Sequence, residues 1–130
     1  MKYTLVIHAA PIDHQSSHTA LRFARALLAN GHTIERIFFY GAGVHNATSH
    51  SVAPQDELNL ADAWQQFIAE NALDAVVCIA AGVRRGLINE TESRRYGKTG
   101  ENLASGFDLS GLGQLVAASV ESDRVVSFGH

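Results

Sequence analysis

The sequence predicts an α/β fold, a three-layer α/β/α sandwich around a mostly parallel sheet of about five strands. Strand-like and helix-like patterns alternate along its 130 residues, as a parallel sheet demands, because each strand must be followed by a crossover long enough to return to the same edge. The run Asp74 to Ala81 is apolar without alternation, which marks a strand buried on both faces rather than one half open to water. Gly31 follows a helical stretch where a left-handed stop is needed.

Taken in order, Tyr3 to Ala10 reads as the first strand, and the polar loop Pro11 to Ser16 offers a serine that can cap the next helix. That helix, about Ser17 to Asn30, sets Leu21, Ala24, Leu27 and Leu28 on one side, with Arg22 and Arg25 on another. Ile34 to Tyr40 is the second strand. A long irregular stretch, Gly41 to Gln55, exceeds the connections that compact domains normally use and carries too little apolar content to pack as core. It is read either as a wall of a functional pocket or partner contact, or as a plain surface loop. The next helix aligns Leu60, Ala61, Trp64, Phe67 and Ile68, with Asp56 as its candidate cap. After the buried strand come a short polar helix near Glu90 to Arg95 and a glycine-broken loop through Phe107. A helix aligning Leu112, Leu115, Val116 and Ser119 follows, and Arg124 to Phe128 closes the sheet. The chain shows no internal repeat and no low-complexity linker, so it reads as a single domain over residues 1–130.

With 46% hydrophobic and 18% charged residues, the chain can bury roughly two-thirds of its unfolded surface. Its formal net charge of -3 supplies no basic field for a nucleic-acid backbone, so direct tight nucleic-acid binding is not expected. Met1 to Ile7 is too short for a signal sequence, and no apolar run approaches ~20 residues. The expectation is a cytoplasmic protein, off the membrane, whose thiol stays reduced.

That thiol is Cys78, the only cysteine. One cysteine excludes an intrachain disulfide, a Cys-x-x-Cys redox cycle and a thiolate-rich zinc site. Sulfur chemistry here must involve a second molecule: a thiolate can take sulfane sulfur, hold it as a persulfide and yield it to an outside acceptor. Against this stands the plain alternative of a small buried hydrophobe. Cys78 comes just before Gly82-Val83-Arg84-Arg85-Gly86, where an open α/β sheet presents its ligands. A cation beside a thiol favours the thiolate, so Arg84 and Arg85, with backbone N–H groups around Gly82, are candidates to stabilise an anionic sulfur. Two consecutive loop arginines also commonly point apart, and either can pair with Glu90 or Glu92.

Other motifs carry less. The spacings His14-x-x-x-His18 and His45-x-x-x-x-His50 lack a carboxylate or thiolate at motif distance, so no metal is expected and the histidines read as solvated. Ser16 to Thr19 can hold a phosphate at a helix start, as in flavodoxin-like nucleotide binders, or simply cap it. Gly111-x-Gly113 has Val116 where a dinucleotide fingerprint needs its third glycine, and Ser110 follows Asp108 where a nucleophile elbow needs glycine. No cofactor is expected.

Three blocks together resemble the TusD/DsrE family of sulfur-relay proteins, within the DsrE/DsrF-like superfamily: Phe38 to Ala47, Cys78 to Gly86 and Leu109 to Leu115. The likeness spans essentially the whole chain. It implies a parallel sheet between helix layers and a sulfurtransferase that carries a persulfide on Cys78. It further implies a hetero-hexamer with TusB-like and TusC-like, or DsrH-like and DsrF-like, subunits. Sulfur would arrive from a TusA-like donor and leave to a TusE-like or DsrC-like acceptor, for 2-thiolation of a tRNA wobble uridine or for dissimilatory sulfur oxidation. A scaffold subunit with an inert core cysteine remains the alternative of another class.

Overall fold

The computed structural model describes residues 1–129. Five strands, β1 (Lys2–Ile7), β2 (Thr33–Phe39), β3 (Ala75–Cys78), β4 (Phe107–Ser110) and β5 (Arg124–Phe128), form one sheet in the order β4-β3-β2-β1-β5. Every pairing is parallel. The helices are α1 (Ser16–Ala29), α2 (Leu60–Glu70), α3 (Ile79–Arg84), α4 (Glu90–Arg95) and α5 (Gly113–Glu121).

Alternation along β1 shows how the layers form. Tyr3 meets Phe23 of α1 edge to face, with ring centroids 6.2 Å apart, whereas Thr4 turns its hydroxyl to the Ala118 carbonyl of α5 at 3.4 Å. Successive side chains of a strand point to opposite faces, so α1 and α5 flank the sheet. Ile7 lies beside Phe39 in the β1–β2 register, and Phe39 packs edge to face on Trp64 at 5.5 Å, which places α2 on the α1 side. The expected α/β/α sandwich is the observed one. Its core is mainly apolar: Leu5, Ile7, Ile37, Phe38, Phe39, Trp64 and Val77 are all fully buried, each contributing about 1.5–3 kcal/mol through removal from water.

Several local expectations need correction. The stretch after β2 is not irregular throughout: Gly41–Ala47 is a 3₁₀ helix that buries Gly43, Val44, Asn46 and Ala47. Few apolar residues suffice because the backbone lies against the end of β1 and Asn46 is fully hydrogen-bonded there. Phe107–Ser110 is a strand, not the end of a loop, and forms one edge of the sheet. The cap of α1 is Gln15, which makes no side-chain cap bond, and the cap of α2 is Asn59, whose side chain accepts from the Asp62 N–H, not Asp56. In α5 the buried residue is Ala118; Val116 and Val120 remain exposed, and Leu112 precedes the helix as its exposed cap. Among the described residues no helix is long and apolar enough to cross a membrane.

Ser17 is not at a phosphate or a cap because it serves the interior. Its hydroxyl accepts from Trp64 Nε1 at 2.9 Å and donates to Asn46 Oδ1 at 2.8 Å, while Asn46 Nδ2 donates to the carbonyls of Ala9 and Gly43, each at 2.9 Å. All three side chains are fully buried. They tie α1, α2, the 3₁₀ helix and the end of β1 together. Ser17→Ala strands a donor on Trp64 and an acceptor on Asn46, each costing about 1–3 kcal/mol when left unmade in the interior. The expected loss is about 2–4 kcal/mol, read as a lower urea midpoint at unchanged slope; an unaltered midpoint would show the network to be dispensable.

Candidate functional site

Three strands end together at one cavity. Tyr40 and Gly41 follow β2, Cys78 ends β3, and Gly111 and Leu112 follow β4; with the exposed side of α3 they enclose about 330 Å3. This is the carboxyl edge of the sheet, where strand ends and the loops after them converge. The β3–β4 register sets Cys78 beside Ser110, and Phe39 beside Val77 brings Tyr40 next to Cys78.

Cys78 is both the last residue of β3 and the N-cap of α3, with no loop between. It is 2% exposed, so the cavity is its route to another molecule. The segment expected to continue as strand through Ala81 instead turns helical at Ile79. That turn sets Ala80, Ala81, Arg84 and Arg85 on the cavity wall, since residues four apart share a helix face.

Arg84 and Arg85 are therefore both at the cavity, as expected, but on the end of a helix and not on a loop. Arg85 Nη1 donates to the Ala81 carbonyl of its own helix at 3.2 Å. Arg84 is exposed and forms no hydrogen bond or ion pair among the described residues. The alternative, pairing of these arginines with Glu90 or Glu92, is not seen among the described residues: Glu90 pairs with Arg94, and Glu92 with Arg95 at 3.6 Å.

Gly82 is placed elsewhere. It is buried and does not line the cavity; its carbonyl accepts from the N–H groups of Arg85 and Leu87 at 3.0 and 2.9 Å. A Cβ there would approach the Leu87 carbonyl oxygen to 3.2 Å and Leu109 Cδ2 to 3.3 Å. Gly82 thus lets α3 sit close on β3 and β4. The backbone donors at the cavity wall are the first-turn N–H groups of Ile79, Ala80 and Ala81, which have no acceptor within the helix.

Tyr40 is the wall residue that sequence reasoning did not single out. Its ring stacks on Phe38 at 6.4 Å and meets His8 edge to face at 5.8 Å. Gly41, at φ 56°, takes the left-handed conformation that turns the chain away from β2. Leu112, half exposed, closes the opposite side. The signal for these residues lies in strand pairing, which neighbouring positions in the sequence do not reveal. Among the described residues no group of three or more histidine, cysteine or carboxylate side chains is placed to hold a metal ion; His45 and His50 instead border a separate depression with Pro11, Ile12 and Asp13.

Comparison with known proteins places the chain in a family. The model of the DsrE/DsrF-like family matches residues 1–128. The chain is 48% identical over 129 residues to a sulfurtransferase TusD homolog of Pseudomonas aeruginosa, covering 99% of this chain and 98% of that protein. It is 45% identical over 129 residues to a putative sulfurtransferase DsrE of Allochromatium vinosum, covering 99% of each chain. It is likewise 45% identical over 128 residues to sulfurtransferase TusD of Cronobacter sakazakii, covering 98% of this chain and all 100% of that one. The crystal structure of the ychN protein from E. coli shares the fold, with a TM-score of 0.78 at 18% identity over 98% of this chain and 99% of that one.

Proposed function

This chain belongs to the DsrE/DsrF-like family and is a sulfurtransferase; we propose that it carries sulfur as a persulfide on Cys78 within a relay that feeds 2-thiolation of a tRNA wobble uridine. One observation carries the reading: the only thiol of the chain lines a cavity at the sheet's carboxyl edge, beside an arginine with no protein partner among the described residues.

In the cycle, the Cys78 thiolate attacks the outer sulfur of a donor persulfide. A new S–S bond forms at Cys78, the donor's S–S bond breaks, and the donor leaves as a thiolate. An acceptor thiolate then attacks the outer sulfur of Cys78-S-SH, takes it as its own persulfide and releases Cys78 as thiolate. No net oxidation occurs. Arg84, at the cavity wall without a protein partner among the described residues, offers charge to the persulfide anion; Arg85 adds to the local field while bound to its helix.

The donor is a TusA-like protein and the acceptor a TusE-like one. TusB-like and TusC-like subunits complete a hetero-hexamer in the cytoplasm. What supports assembly is apolar surface left open: Leu112, Val116 and Val120 of the α5 region and Val125 of the edge strand β5. The equal 45% identity to the putative sulfurtransferase DsrE favours a second destination, a DsrC-like acceptor in sulfur oxidation with DsrH-like and DsrF-like subunits. The cysteine chemistry is the same in both.

Incubation of the folded chain with a persulfidated donor protein is expected to add one sulfur atom to its intact mass, and a subsequent thiol acceptor to remove it. Absence of the added sulfur under conditions that load another sulfurtransferase would refute the carrier role.

A further inference from the structure

Beyond the Cys78 cavity, across α3, lies a second and larger recess of about 810 Å3. The two share Ile79, Ala80 and Arg84, so they adjoin. Its apolar wall includes Ile79, Val83 and Tyr96, while Arg84, Arg95 and Lys98 bring three cations to it. The only carboxylate lining it is Glu92. Glu92 is 4% exposed; Oε1 faces Arg95 at 3.6 Å, but Oε2 is buried without any hydrogen-bond partner. Arg84 and Lys98 have no ion-pair partner among the described residues.

We propose that this recess is a docking subsite for an acidic, partly apolar segment of the protein that exchanges sulfur with Cys78, a role that rests on the relay reading above. The recess carries a local excess of positive charge on a chain whose net charge is -3. Unpaired cations at a partly apolar wall attract an opposite charge without first having to leave another partner. Glu92 lies buried against Arg95 and so leaves the charges of Arg84 and Lys98 unanswered at the recess. Anchoring a partner a few residues from its reactive cysteine raises the effective concentration of that sulfur at Cys78.

Two peptides of equal length test this, each with one cysteine activated as a mixed disulfide with thionitrobenzoate, flanked by Asp and Leu in one and by Lys and Leu in the other. Cys78 thiolate attacks the peptide sulfur; the new bond joins Cys78 to the peptide, and the thionitrobenzoate anion leaves with a change in absorbance that gives the rate. At low salt the acidic peptide is expected to react about tenfold faster than the basic one, a ratio that falls toward one as salt is added. Because Arg84 and Arg85 also border Cys78, Lys98→Glu localises the effect: it should collapse the ratio, since Lys98 borders the recess and not the Cys78 cavity. Equal rates for the two peptides in the wild-type chain, or a ratio unchanged by Lys98→Glu, would overturn the subsite and leave the relay standing. Suppression of the acidic-peptide reaction by an RNA oligonucleotide as strongly as by the unactivated acidic peptide would also overturn it, in favour of a nucleic-acid site. Failure of Cys78 to react with either peptide in the folded chain would sink both readings together.

Discussion

Cys78→Ser is expected to take up no sulfur at all, where the wild-type chain gains one atom. The loss is complete because no second thiol exists to substitute, and a serine hydroxyl at neutral pH neither ionises appreciably nor forms the S–S bond on which the cycle depends. Serine differs from cysteine by one atom and leaves the backbone conformation of the strand–helix junction accessible. Its cost is a hydroxyl at a site 2% exposed, about 1–3 kcal/mol where no partner is found, a modest lowering of the melting temperature without loss of the fold. Circular dichroism alongside the intact-mass measurement separates an inactive folded chain from an unfolded one. Iodoacetamide adds the decisive contrast: the relay requires alkylation of native wild-type chain at neutral pH through the 330 Å3 cavity, whereas a core cysteine of purely packing role would react only after denaturation. Equal sulfur labelling of wild type and Cys78→Ser would refute the mechanism.

The parts legible in the sequence were those written in local pattern. β1, β2, β3 and β5 each contain an apolar run, and α1 and α2 each repeat their buried positions at helical spacing. β4 escaped because it is an edge strand of four residues whose Asp108 is exposed, with Gly106 and Gly111 on its two sides imitating a loop. The 3₁₀ helix escaped because its burial depends on partners far away: Asn46 reaches Ala9 and Ser17, 37 and 29 residues earlier. The same long reach removed Ser17 from capping. In α5 the apolar spacing was real, yet Val116 and Val120 lie on the side away from the sheet, so periodicity named a stripe without saying what covers it. At the site, Cys78, Arg84 and Arg85 were visible because one short helix and its two caps gather them. Tyr40 and Leu112 come to the cavity through parallel pairing of β2, β3 and β4, and Gly82 lies off the cavity wall: a glycine that admits close packing looks, in sequence, like one that exposes its backbone.

Gly43→Ala is expected to disturb the site more than any surface change, although Gly43 does not line the cavity. A Cβ on Gly43 would lie 2.0 Å from the carbonyl oxygen of Ile7, 2.8 Å from its carbon and 3.3 Å from the carbonyl carbon of His8. These are backbone atoms at the end of β1, so no rotamer change relieves the clash. The same Ile7 oxygen accepts the Tyr40 N–H at 3.0 Å, and the Gly43 N–H returns to the Tyr40 carbonyl at 2.9 Å. A methyl group driven into that corner must either lift the 3₁₀ helix from β1, exposing Val44 and Ala47 and breaking the Asn46 network, or push the end of β1 out of register with β2. Overpacking of this kind costs about 1–3 kcal/mol where side chains can yield and more where only backbone can move; the upper end, about 3 kcal/mol or beyond, is expected here. Tyr40 and Gly41 move with the helix, so the Cys78 cavity changes shape and the iodoacetamide rate of the folded fraction should depart from wild type. Gly113→Ala is the matching control: its Cβ meets nothing within 4 Å at the first residue of α5, and alanine favours a helix, so its denaturation midpoint should match or slightly exceed that of the wild type. If Gly43→Ala unfolds at the same denaturant concentration as Gly113→Ala, the close approach of the 3₁₀ helix to β1 is not what holds the cavity wall in place.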